Sequence, residues 1–135
     1  MSSTGRRCWV DRAHRQARVQ ENVTASNMLG RVTPASGSGD VKNDVRNDEW
    51  SIEVKTTTRL SYPMALSTLE TAETHALSDA RRPALLVAFD RGLGRAAKRY
   101  VVTTEDDFIE RETELMQLRD QVVRLQNEVQ GLTWC

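Results

Sequence analysis

The chain has 135 residues, 39% of them hydrophobic and 28% charged, which suits one compact domain and excludes a disordered chain. No stretch approaches the roughly 20 apolar residues of a membrane-spanning helix. The basic residues 1–7 are not followed by an apolar run, so a cytoplasmic protein without a signal peptide is expected. The zero net charge conceals a division: residues 1–103 carry 16 Lys/Arg against 11 Asp/Glu, and residues 104–135 carry 3 against 8. A body of net +5 permits phosphate contacts, whereas a tail of net −5 makes a poor DNA surface. Cys8 and Cys135 lie near opposite ends, and His14 and His75 stand far apart, so none has metal-ligand spacing. Two free thiols are the expectation.

Residues 1–12 read as a flexible basic arm. Ala17, Val19, Val23, Ala25 and Met28 give residues 13–29 an imperfect helical stripe, with Gly30 placed to cap its end. Residues 33–40 are turn formers. Residues 41–46 and 50–57 predict two strands joined through Asn47-Asp48-Glu49, the second with Ile52 and Val54 on one face and Glu53 and Lys55 on the other. Pro63 suits the first position of a helix reaching about Ala80, which Arg81-Arg82-Pro83 ends. The continuous apolar run at residues 84–89 predicts a strand covered on both faces. Residues 90–95 form a loop, and residues 98–103 another strand. Thr104 and Asp107 resemble a shortened capping box ahead of a final helix over residues 105–130. The pattern is α/β, in the order α-β-β-α-β-β-α, with a mixed central sheet flanked by helices and one long helix at the end.

The chemistry concentrates in the predicted hairpin. With Asp48-Glu49 as a two-residue turn, Asn47 opposes Trp50 and Asp44 opposes Glu53, with Cβ atoms roughly 4.5–5.5 Å apart. Asp48-Glu49 is not a favoured turn pair, and a longer loop would shift that register. Two unpaired carboxylates at such a distance repel, and a divalent cation such as Mg²⁺, held by one or two carboxylates with water and phosphate, relieves the repulsion. Lys55 shares the face of Glu53, where an ammonium group can orient a water and offset developing charge. The small residues Ser36, Gly37, Ser38 and Gly39 offer backbone N–H groups and hydroxyls to a phosphate. A lone Glu-x-Lys on a strand is most often a solvated ion pair, so its context decides its meaning.

That context resembles a known family. Ser36-Gly37-Ser38-Gly39, Asn43-Asp44-Val45, Ile52-Glu53-Val54-Lys55-Thr56-Thr57, Ser61-Tyr62 and Pro83-Ala84-Leu85-Leu86-Val87 resemble the PD-(D/E)XK nucleases, and within them the Holliday-junction-resolvase-like group often found in bacteriophages. The resemblance covers about residues 13–103. It implies a restriction-endonuclease-like core and a metal-dependent DNA endonuclease, with a four-way junction as the leading substrate. For a phage protein the location would be the host cytoplasm. It implies Asp44 and Glu53 as metal ligands with Val54 beside them, Lys55 as the catalytic lysine, and Glu21 as the first-helix acid. Mg²⁺, with Mn²⁺ as a substitute, is the implied cofactor. Arg31, Lys42 and Arg59 join the 36–39 loop as expected DNA contacts. Asn43 stands where the family usually has glycine, and Asp40 competes with Asp44 as a ligand.

In the predicted last helix, Leu115, Leu118, Val122, Leu125, Val129 and Leu132 recur at spacings of 3, 4, 3, 4 and 3, a heptad seam that favours pairing with a second copy as a homodimer. The alternative to a nuclease is a non-catalytic DNA-binding or assembly protein on the same scaffold, oligomerising through this helix.

Overall fold

The computed structural model describes residues 4–33 and 43–133. Two compact units divide the chain, Met1–Val102 and Thr103–Cys135. Helix α1 (Thr4–Asn27) is followed by strands β1 (Arg31–Val32), β2 (Val45–Arg46) and β3 (Trp50–Thr57), helix α2 (Leu66–Ser78), strands β4 (Arg82–Phe89) and β5 (Lys98–Thr103), and helix α3 (Glu105–Thr133). The strands form one sheet in the order β1-β2-β3-β4-β5. Pairing is antiparallel from β1 to β3 and parallel between β3 and β4, so the fold is α/β with a mixed five-stranded sheet. No described helix is long and apolar enough to cross a membrane.

The core follows from the two-residue period of the strands. Ile52 and Val54 of β3 join Val45, Ala84, Leu86 and Ala88 in a buried cluster that Ala25 of α1 completes. The alternate residues of β4, Leu85 and Val87, are also buried, and α2 packs on β3 and β4 with Ala72 and Ala76 inside. The apolar run of β4 is therefore covered on both faces, as its composition predicts. Pro83 fits within β4 because Arg82 N–H, one residue earlier, makes the bond to Glu49 O of 2.8 Å. Alternation then turns the missing N–H of Pro83 away from β3.

Several sequence expectations change. Helix α1 begins at Thr4, so residues 4–12 belong to a helix rather than to a loose arm. Gly5 apart, that stretch contains no breaker, and extending a formed helix is far easier than starting one. The short strand β1 has no sequence signal, being only two residues long. Of the strand expected over residues 41–46, β2 holds only Val45–Arg46, and residues 41–42 lie outside the described residues. Helix α2 starts at Leu66 rather than Pro63, since Ala65 is extended (φ −88°, ψ 139°) and the exposed Met64 and Leu66 bury too little to draw that turn inward. Strand β4 begins at Arg82, two residues earlier than its apolar run.

Gly30 is required for a reason other than the expected one. The left-handed residue that ends α1 is Leu29 (φ 51°), while Gly30 N–H bonds Ala25 O at 2.8 Å and Leu29 N–H bonds Ser26 O at 3.4 Å. A Cβ at Gly30 would lie 2.6 Å from Arg46 O, a backbone atom of β2. Gly30→Ala is therefore expected to push α1 away from β2 and to destabilise the protein by about 1–3 kcal/mol. Thermal unfolding should read this as a fall of roughly 4–8 °C per kcal/mol. An unchanged melting temperature would show that the contact yields without strain.

Candidate active site

The hairpin β2-β3 is closed by Asn47 rather than by Asp48 or Glu49. Its side-chain oxygen accepts from Glu49 N–H at 2.9 Å and Trp50 N–H at 2.7 Å, and its amide donates to Met28 O at 3.0 Å. With Asn47 N–H bonded to Trp50 O at 3.0 Å, the turn is the two-residue Asp48-Glu49 connection, despite their poor turn propensity. The ladder pairs Arg46 with Ser51 and Val45 with Ile52. The ladder ends there, and Asp44, one residue before Val45, meets β3 through its side chain instead.

Asp44 is held at both its backbone and its side chain. Its carbonyl accepts from Thr33 N–H at 2.8 Å, and its Oδ2 accepts from Val54 N–H at 2.8 Å. The carboxylate thus occupies the lateral position on β3 that a longer β2 would fill with backbone. In a strand the N–H and C=O of one residue point to the same side, so the Val54 carbonyl faces Asp44 as well. The preceding Asn43, only 3% exposed, donates to Ser51 Oγ at 2.9 Å and Ala72 O at 3.1 Å, with His75 Nδ1 3.4 Å from its Oδ1. The Asn43 side chain therefore bolts the start of β2 to β3 and α2.

Glu53 and Lys55 project from the same face of β3 and form an ion pair of 2.6 Å. Burial acts to lower the Lys55 pKa, but the hydrogen bond and charge of Glu53, aided by Tyr62 and Asp44, outweigh it, and the net shift is upward. Lys55 is an ammonium at neutral pH. Glu21 on α1 has a raised pKa, first through burial and then through the negative charges of Asp44 and Glu53, with Arg18 opposing. The first-helix acid thus senses both hairpin acids.

All four residues, Glu21, Asp44, Glu53 and Lys55, line one cleft of about 1500 Å³ with Val54. Among the described residues no three Asp, Glu, His or Cys side chains converge into a ready-made metal cage. The donor set is instead two carboxylates and a backbone carbonyl, with one oxygen of Asp44 and one of Glu53 already engaged. That is too few ligands for a closed structural site, but it fits Mg²⁺, which keeps waters and takes substrate phosphate.

Of the expected DNA contacts, Arg59 lines the cleft and is exposed, whereas Arg31 is exposed on β1 and does not line it. Ser36, Gly37, Ser38, Gly39 and Lys42, like the competing Asp40, lie outside the described residues. Sequence reading missed Arg91 and Arg95, which the β4-β5 loop brings to the cleft. The loop turns through Gly92, Leu93 and Gly94, all with positive φ, and Arg91 and Arg95 donate to Ala96 O and Arg91 O, each at 2.9 Å. Two arginines spaced by glycines after a buried strand were the available signal. Arg99, its pKa lowered by burial, also lines the cleft, but its guanidinium binds Gln20 and Thr24 of α1 rather than the acids.

In comparisons with known proteins, no family model, curated protein or solved structure matches this chain.

Because the folded-state pKa of Glu21 lies above its ordinary value of 4.5, the native chain binds its proton more tightly than the unfolded chain. Stability from this group is full below that value and is lost as pH rises through the native pKa. Glu21→Gln should therefore raise the urea midpoint at pH 7 more than at pH 4. An equal effect at both would show that the acids do not crowd one another.

Proposed function

We propose that the protein is a metal-dependent DNA endonuclease with a restriction-endonuclease-like core, acting as a structure-selective nuclease of the Holliday-junction-resolvase type. The carrying observation is the shared cleft of Glu21, Asp44, Glu53 and Lys55, with Asp44 bonded to β3 at Val54 and Lys55 paired with Glu53. The sheet order supports the same fold, since an acid-bearing antiparallel hairpin leads through a helix into a buried parallel strand. The choice of a four-way junction over other DNA rests on the sequence resemblance.

Asp44, Glu53 and the Val54 carbonyl are the groups that would hold Mg²⁺ or Mn²⁺. When bound, such an ion polarises the phosphodiester and makes a water acidic enough to attack it. Lys55, kept protonated by Glu53, is a donor and not a base: it orients the attacking water and offsets charge on the phosphoryl oxygens. Glu21, whose pKa burial and the neighbouring acids raise, is the acid that would accept a proton. Arg59, Arg91 and Arg95 supply positive charge at the cleft for the phosphate backbone.

Purified protein incubated with a four-way junction, a fork and a linear duplex should cut at least one in Mg²⁺ and none in EDTA. Glu53→Gln and Lys55→Met should each lower the rate by about 100-fold or more while melting temperature changes little. Binding without cleavage in both Mg²⁺ and Mn²⁺ would replace the nuclease with a DNA-binding assembly protein.

A further inference from the structure

We infer that α3 pairs with α3 of a second copy as a parallel, in-register, two-stranded coiled coil along the seam Leu115 to Leu132. The unit Thr103–Cys135 is built around this one helix. Its start is self-sufficient: Thr104 Oγ1 accepts from Asp107 N–H at 3.1 Å and donates to the Asp107 carboxylate. Acidic Glu105, Asp106 and Asp107 occupy the first turn, where the helix dipole favours them. Leu118, Val122, Leu125, Val129 and Leu132 are 52–77% exposed, although their 3-4 spacing keeps them on one stripe.

The identities along that stripe select the occupant. Numbered as heptads with Leu115 at a, the a positions are Leu115, Val122 and Val129, and the d positions are Leu118, Leu125 and Leu132. β-Branched residues at two of the three a positions, with leucine at every d, favour two strands in parallel over three or four. Flanking charge agrees with that direction. In a parallel pair the g residue of one helix meets the following e residue of the other, which sets Glu114 against Arg119, Gln121 against Gln126 and Glu128 against Thr133. No like charges meet within the seam, and each Glu114, which also pairs with Arg111 in its own helix at 3.2 Å, gains an opposite charge across the pair. An antiparallel pair brings e beside e and g beside g, and forfeits the two Glu114–Arg119 contacts. Upstream, Arg111 interrupts the stripe at a d position and Asp107 would face Glu112, so the pairing begins at Leu115.

This inference does not depend on the nuclease reading, and its test needs no DNA. The full chain with Cys8→Ser and Cys135→Ser carries Leu118→Cys, a substitution at an exposed position that leaves the helix intact. Light scattering of the parent chain should give twice the monomer mass. Mild oxidation should join Leu118→Cys chains to one another, because a disulfide needs Cα atoms within about 7 Å and only parallel register brings position 118 to itself. A mixture of Leu118→Cys and Val129→Cys chains should yield no preferred heterodimer. Val122→Asp should return the mass to that of a monomer without shifting the melting temperature of the first unit. A monomeric parent, a mass of three or more copies, or a doubled mass without the 118–118 cross-link would each overturn the inference. Preferential 118–129 joining would show the antiparallel arrangement instead.

Discussion

The hydrogen bond from Val54 N–H to Asp44 Oδ2 is the contact on which the candidate site is organised. Strand β2 stops early, and the side edge of β3 would otherwise present an unsatisfied donor at this point. A carboxylate in place of a backbone carbonyl satisfies that donor and, in the same act, brings a second acid to the cleft that Glu53 lines. Sheet formation and site assembly are thus one event. A bond to a charged acceptor is also stronger than the backbone bond it replaces.

Around this contact the remaining elements act as braces. Asn43 fixes the residue before the aspartate to β3 and α2, and Asn47 fixes the turn beyond it to the end of α1. Arg99 of β5 grips Gln20 and Thr24, the neighbours of Glu21 in sequence and one turn on, so the far strand of the sheet sets where α1 carries its acid. Asp44 and Glu53 crowd Glu21, Arg18 eases that crowding, and Lys55 pairs with Glu53.

How much of this was legible in the sequence varies with the range of the interaction. The span of β3 is readable to the residue, because alternation of Ile52 and Val54 with Glu53 and Lys55 is a local signal. The two-residue turn and the pairing of Val45 with Ile52 were readable, although the turn is secured by Asn47 and not by the pair that forms it, whereas the ladder stops before Asp44 and its side chain bonds Val54 N–H instead. Arg91 and Arg95 were not legible as cleft residues, since they arrive through the parallel pairing of β3 and β4, a contact that no short-range pattern encodes. Strand β1 escaped for the opposite reason: two residues have no periodicity, and their pairing is imposed by the Gly30 approach to Arg46. The capping of α3 by Thr104 and Asp107 was readable because both partners lie within one turn.

Asn43 has a consequence beyond its bonds. Its amide leans on the Ala72 carbonyl, in the middle of a helix that contributes no acid of its own to the cluster. The aim of the aspartate is therefore inherited in part from scaffolding in α2. Damage to the packing of Ala72 or Ala76 would first surface as a misdirected carboxylate in a chain that still folds, so a distant lesion could mimic the loss of a chemical group that is still present.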